Sequence, residues 1–260
     1  MPEMITVDAA ADALHAAAAD RSPLDPCGIS MLTLRDAYRT QHALISRHLA
    51  DGDRVAGAKL GFTSRAKMQQ MGVHSPIVGV ILETGRIANG GAVGLDRFIH
   101  PKVEPEIALL LDDDLDPESP IDGQLHRIGA IAPALEIIDS RFAGFSFTLS
   151  SVVADNTSAA GFAVGSWTRF TPGMEIDNLA VELTVGDRIA AIGSTAAILG
   201  DPLRVLPLLL TVAREHGHAL TAGSVVLAGA ATAAVPLTVG LAEASIAGLG
   251  RVAFSAREES

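Results

Sequence analysis

From residue 55 onward the sequence is a succession of short apolar runs separated by glycine-containing turns, a pattern that helices alone cannot satisfy. The runs at 55–62, 78–82, 103–111, 128–138, 162–167, 179–185, 188–194, 225–227, 235–239 and 252–255 have strand length. Two segments among them carry helix signals. One, 64–71, stops at Gly72; the other, 203–216, is opened by Asp201 as N-cap with Pro202 behind it. The first fifty residues differ. An alanine-rich helix is expected over 7–19 and a second after Thr33, where Leu34, Ala37, Tyr38, Gln41, Leu44, Ile45, His48 and Leu49 fall near helical spacing until Asp51-Gly52-Asp53. The expected class is α+β, with a helical region over 1–52 set as a cap on a β-rich body over 53–260.

Charge and cysteine content narrow the partners. The 260 residues carry a net charge of −11, which argues against nucleic acid because phosphate contacts need clustered Lys and Arg. One cysteine, Cys27, excludes an internal disulfide framework and fits a reducing, cytoplasmic setting. The N-terminal stretch holds Glu3 and Asp8 and lacks a signal-peptide pattern. Residues 219–242 are uncharged and long enough to span a bilayer, but Gly223, Gly229, Pro236 and Gly240 divide them into pieces that read as buried strands. No membrane partner is expected.

The most informative segment is 99–111. In a strand, Val103, Ile107, Leu109 and Leu111 face one way, and Glu104 and Glu106 share the other side. Two carboxylates there are either a solvated strand face or the start of a cation site. A third, Glu136, sits between apolar neighbours in its own strand-like run, and three carboxylates suit a hard ion such as Mg²⁺ or Mn²⁺. The run Asp112-Asp113-Asp114 reads as a solvated turn, and His216 and His218 as partners for helix-terminal carbonyls. Lys59 is the only charge between Arg54 and Arg65; it either snorkels to the surface or turns inward toward anions. The group Asp155-Asn156-Thr157-Ser158 is either a capped turn or a set of donors for a substrate carboxylate.

Taken in order, Gly57-Ala58-Lys59-Leu60-Gly61-Phe62-Thr63-Ser64, Val103-Glu104-Pro105-Glu106, Leu135-Glu136-Ile137-Ile138-Asp139-Ser140-Arg141 and Ala154-Asp155-Asn156-Thr157-Ser158 resemble the 2-keto-4-pentenoate hydratase / 4-oxalocrotonate decarboxylase family of the fumarylacetoacetate hydrolase superfamily. The resemblance spans nearly the whole chain. It implies a mixed β-roll with an N-terminal helical cap and a homo-oligomeric enzyme of aromatic meta-cleavage breakdown that acts on 2-oxo dienoic acids. It further implies Glu104, Glu106 and Glu136 as ligands of Mg or Mn and Lys59 as the active-site lysine. Substrate contacts are expected from Ser158, Ile77, Gly61 and Phe62.

The hydratases of that family carry an aspartate after the proline of a segment that here reads Ser75-Pro76-Ile77-Val78-Gly79. Adding water needs a group to move its proton, whereas losing CO₂ needs an electron sink. The expected reaction is therefore decarboxylation of 2-oxo-3-hexenedioate (4-oxalocrotonate), with 2-keto-4-pentenoate hydration second. A catalytically idle metal-binding partner in assembly is third. Association with the pathway hydratase is a further expectation from the resemblance. Whether Asp139, Arg141 and Asp155 touch a ligand or brace the site is open at this level.

Overall fold

The computed structural model describes residues 5–72, 75–118, 120, 123–217 and 220–259. Its helices are α1 (Val7–Asp20), α2 (Leu34–Ala50), α3 (Arg65–Met71), α4 (Leu149–Ala154) and α5 (Val205–His216). The strands are β1 (Val55–Gly61), β2 (Ile77–Leu82), β3 (Arg86–Ile87), β4 (Ala92–Gly94), β5 (Lys102–Leu111), β6 (Ile128–Ile138) and β7 (Ala159–Val164). They continue with β8 (Thr168–Arg169), β9 (Ala180–Val185), β10 (Arg188–Ser194), β11 (Val225–Ala230), β12 (Val235–Pro236), β13 (Gly240–Ile246) and β14 (Gly250–Arg257).

Local chemistry sets the helix ends. Thr33 accepts from the Asp36 amide at 3.1 Å to start α2, and Ser64 accepts from Lys67 at 3.1 Å to start α3. The helix α3 ends at Gly72 in the left-handed region, φ 64°. Asp201 caps as expected, but it opens a 3₁₀ turn over Pro202–Arg204, so α5 proper begins at Val205. The short helix α4 is not visible in apolar periodicity; its signal is the reciprocal Thr148/Ser151 capping box.

One sheet runs β2-β1-β11-β5-β6-β7-β3, with β12 added to β5 and β8 to β6; a second runs β10-β9-β13-β14-β4. The strand expected over 162–167 lies at Ala159–Val164, and Trp167 beyond it is 38% exposed. Residues 220–242 contribute β11, β12 and the start of β13; Gly223 precedes β11, but Gly229 lies inside it, and the strand expected over 235–239 covers only Val235–Pro236. The stretch 195–216 has the length and hydropathy of a membrane span, yet left-handed Leu199 and Gly200 break it and Leu206 and Leu209 of α5 are buried.

The outer side of β5 is the main core. Ile107, Leu109 and Leu111 share a buried cluster with Leu14 of α1, Leu44 of α2 and Leu206 and Leu209 of α5. Each such side chain contributes about 1.5–3 kcal/mol. The helical region is thereby fastened to the strands. Val103, Leu135 and Ile137 pack instead with Leu183, Val252 and Phe254 of the second sheet. The other face of β5 meets a smaller cluster of Ala108, Ala134, Phe162 and Leu227.

That inner face is rolled. Lys59 on β1 and Glu136 on β6 are three strands apart, about 14 Å in a flat sheet. Their charged atoms lie 3.0 Å apart, so the sheet curls and they meet across its interior. The β2 edge is closed by side chains rather than by another strand. Asn156 receives the Val80 amide at 2.7 Å and donates to the Val80 carbonyl at 2.8 Å, as a strand neighbour would. Gln41 of α2 donates to the Val78 carbonyl at 2.9 Å.

Candidate metal centre

The pairing of β5 with β6 places Glu104 opposite Glu136 and Glu106 opposite Ala134. Strand alternation puts Glu104 and Glu106 on one face, and directly paired residues share a face, so the three carboxylates converge. One oxygen from each lies within 4.8 Å of the others. Glu106 and Glu136 are fully buried, while Glu104 keeps some exposure.

Lys59 turns inward rather than snorkelling, at 3% exposure. Its ammonium donates to the Thr157 carbonyl at 3.2 Å and makes a charge contact with Glu136 Oε2 at 3.0 Å. Glu106 Oε2 accepts from the Gly229 amide at 2.7 Å. Glycine is required there: φ is 110°, and a Cβ would stand 2.2 Å from Thr63 Oγ1. An irregularity between Leu227 and Ala230 in the β11–β5 register accompanies this amide. The sequence reads Gly229 only as a divider between strands, and a glycine inside a strand pattern is the signal for this role.

The carboxylates are under-compensated. Glu106 Oε1 and Glu136 Oε1 are buried without a hydrogen-bond partner. Burial, then the charge of Glu136, pushes Glu104 up to about 7, with Lys59, Lys67 and Lys102 opposing. Burial and Glu136 hold Glu106 well above the usual carboxylate range, and burial raises Glu136 despite Lys59. Burial disfavours the charge on Lys59, but Glu136, Glu106 and Glu104 outweigh it and its pKa rises. Three carboxylates and one ammonium leave two negative charges, the complement of a divalent cation. Buried unpaired charge costs several kcal/mol per ion, so oxygen donors, spacing and charge together fit a hard divalent ion.

The remaining expected residues fall around this centre in different ways. Asn156, Thr157 and Ser158 all adopt left-handed φ, 48°, 56° and 57°, so the polar group is a strained turn held from both sides. It presents the Thr157 carbonyl to Lys59, whereas the Ser158 hydroxyl lies 3.5 Å from Asp155 Oδ2. Gly61 makes room for this turn: a Cβ would meet Thr157 Cγ2 at 2.6 Å and Ile77 Cγ1 at 3.1 Å. Ile77 is 3% exposed in that corner, and Phe62 has φ 60° with the Lys67 ammonium 5.8 Å from its ring centre.

Asp139, Arg141 and Asp155 brace. Asp139 accepts from the Ile99 and His100 amides at 2.8 Å each, and Arg141 pairs with Asp155 and donates to the Asp139 carbonyl at 2.7 Å. His216 does not cap carbonyls as expected; it stacks on Tyr38 with ring centres 3.9 Å apart. His218 lies outside the described residues. Asp112, Asp113 and Asp114 are exposed, as a solvated turn requires.

No family model matches the chain. A 4-oxalocrotonate decarboxylase from Pseudomonas sp. is 42% identical over 234 residues, covering 89% of this chain and 90% of the relative. The 2-keto-4-pentenoate hydratase 2 of Dechloromonas aromatica is 35% identical over 249 residues, 94% of this chain and 95% of its own. A solved structure of 4-oxalocrotonate decarboxylase from Pseudomonas putida G7, complexed with magnesium and adipate, superposes with a TM-score of 0.90 at 32% identity, covering 96% of this chain and 97% of that one. With sequence and fold alike over nearly the full length of each, this chain belongs to the 2-keto-4-pentenoate hydratase / 4-oxalocrotonate decarboxylase family, whose rolled sheet is of the fumarylacetoacetate hydrolase type.

Proposed function

We propose that this protein decarboxylates 2-oxo-3-hexenedioate to 2-hydroxypenta-2,4-dienoate, with Glu104, Glu106 and Glu136 holding a magnesium or manganese ion. The observation that carries the reading is the set of buried carboxylate oxygens without partners, gathered within 4.8 Å beside one lysine. The relatives supply the reaction. The 42% identical protein is a 4-oxalocrotonate decarboxylase, and the structural neighbour of that name binds magnesium and a six-carbon diacid.

When bound, a divalent ion supplies a Lewis acid for the substrate's 2-oxo group. In the reaction the C5–C6 bond breaks and C6 leaves as CO₂. Its electron pair delocalises through C4 and C3 to the C2 oxygen, whose protonation gives the dienol. Lys59 serves as fixed positive charge for that oxygen. Its ammonium, beside Glu136 at 3.0 Å, is placed to donate a hydrogen bond. The Thr157 carbonyl anchors it. Ala108, Phe162 and Leu227 line the same face and keep it poor in water, which strengthens each charge contact. Gly61, Ile77, Phe62 and Ser158 complete the surroundings of the substrate. Ile77 adds an apolar wall where a hydratase needs a proton-handling group.

The helical region 1–52 serves as a cap on the catalytic body 53–260. The enzyme works in the cytoplasm as a homo-oligomer and associates with the hydratase that consumes its product. Hydration of 2-keto-4-pentenoate is the second reading, favoured by the 35% identical hydratase. Supplying each substrate with Mg²⁺ separates them. CO₂ release from the diacid, abolished by chelation, is expected; water addition to the pentenoate without CO₂ release from the diacid contradicts the first reading.

A further inference from the structure

The carboxylate centre accounts for one end of a diacid, and the same strand carries a cation suited to the other. Strand alternation puts Lys102 on the face of β5 that holds Glu104 and Glu106, one step outward from Glu104. Two residues of strand cover about 6.6 Å, close to the span between the carboxyl carbons of an extended six-carbon diacid. The Lys102 ammonium lies 4.1 Å from the ring centre of Phe145, and the His100 ring centre lies 4.8 Å from the same ring. Phe145 is held there by left-handed backbone, φ 57°, following Gly144 at φ 63°. His100 Nε2 is buried without a hydrogen-bond partner, while the backbone of His100 is pinned by Asp139. Three features converge: a cation with a desolvated flank, an orphan imidazole nitrogen, and an aromatic wall.

We propose that Lys102 and His100, set against Phe145, form the subsite for the distal carboxylate and make the enzyme selective for 2-oxo diacids over 2-oxo monoacids. This inference rests on the proposed reaction. A carboxylate at C6 cannot lie against Glu104, Glu106 and Glu136, because like charge repels it; it turns outward along β5, where Lys102 is the first residue on that face. Lys102 touches the carboxylate in the bound substrate and loses its charged partner as CO₂ departs. Its contribution is therefore to binding the ground state, so removing it raises KM and does not lower kcat.

The test compares 2-oxoadipate with 2-oxohexanoate, which differ only in the distal carboxylate, by calorimetry on Mg²⁺-loaded protein. The wild-type chain should bind the diacid at least about tenfold more tightly, the scale of a charge-assisted contact. Lys102→Met should reduce that preference to within about twofold while 2-oxohexanoate affinity stays unchanged. His100→Ala should erode it in part. With 2-oxo-3-hexenedioate, Lys102→Met should raise KM about tenfold or more without lowering kcat. Retention of the preference in Lys102→Met, equal loss of both ligands, or collapse of the preference in Lys67→Met instead would overturn the subsite. Loss of CO₂ release in the wild-type chain, with diacid preference intact, would instead overturn the reaction and leave the subsite standing.

Discussion

Two buried polar networks lie within a few residues of each other in this fold, and they are built on opposite terms. Around Arg141, charge is balanced one to one and the atoms are used. Its guanidinium bonds Asp155 and the Asp139 and Ala159 carbonyls, and Asp155 Oδ2 receives the Arg141 amide at 3.1 Å and the Ser140 hydroxyl at 3.3 Å. Around Lys59, three carboxylates face one ammonium and two of their oxygens have no partner. A saturated network stiffens a scaffold; a network left short of cations is a place for one to enter. The first holds the strained turn 155–158 in position, and the second uses that turn's Thr157 carbonyl to fix Lys59.

The largest effect is expected from Glu106→Gln. It should remove most turnover and weaken Mg²⁺ binding by more than the ~10–100-fold that outer-shell partners carry. The metal-free protein should at the same time melt at a higher temperature, because a neutral amide replaces a buried carboxyl group whose ionisation burial disfavours. Calorimetric titration and a melting curve on the same sample read both; a lower apo melting temperature would mean that the carboxylates stabilise one another.

Arg141→Met attacks the balanced network and should behave in reverse. Removing one partner of a buried pair costs about 3–5 kcal/mol, seen in chemical denaturation, while Mg²⁺ affinity of the folded fraction stays near wild type. A large loss of metal affinity with stability intact would erase the contrast between the networks. Gly79→Ala tests the turn that joins them. A Cβ there would stand 2.7 Å from the Asn156 carbonyl oxygen and 3.2 Å from Lys59 Cδ. About 1–3 kcal/mol of destabilisation is expected, together with a fall in kcat.

The smallest effect is a slope with pH. Carboxylates whose pKa is raised by folding favour the fold while protonated, below the ordinary value of 4.5, and that contribution is lost as pH rises through about 7. Metal-free protein should therefore lose stability between about pH 4.5 and about 7, and saturating Mg²⁺ should flatten the slope because ion and proton compete for the same oxygens. An identical slope with and without Mg²⁺ would separate those carboxylates from metal binding.

The carboxylate cluster with its lysine is more legible in the sequence than the scaffold that holds it. Glu104, Glu106, Glu136 and Lys59 stand out because each interrupts an apolar run, and a charge in such a run needs a reason. Strand period then puts two of them on one face. The bracing was not legible, because it is made of distant pairings: Asn156 closing the β2 edge through Val80, or Asp139 holding the Ile99 and His100 amides, leaves no local pattern. Ser158 is a polar residue near the expected site, yet its hydroxyl lies against Asp155. The place of His216 is hidden from the sequence for the same reason, since its stacking partner Tyr38 lies on another helix.

The direct test of the account is Mn²⁺ binding followed by electron paramagnetic resonance on the wild-type chain and on Glu136→Gln. The account predicts one ion per wild-type chain, displaced by Mg²⁺, perturbed by 2-oxoadipate, and lost in the variant. A wild-type chain that binds no ion, or a variant that binds it unchanged, would contradict it.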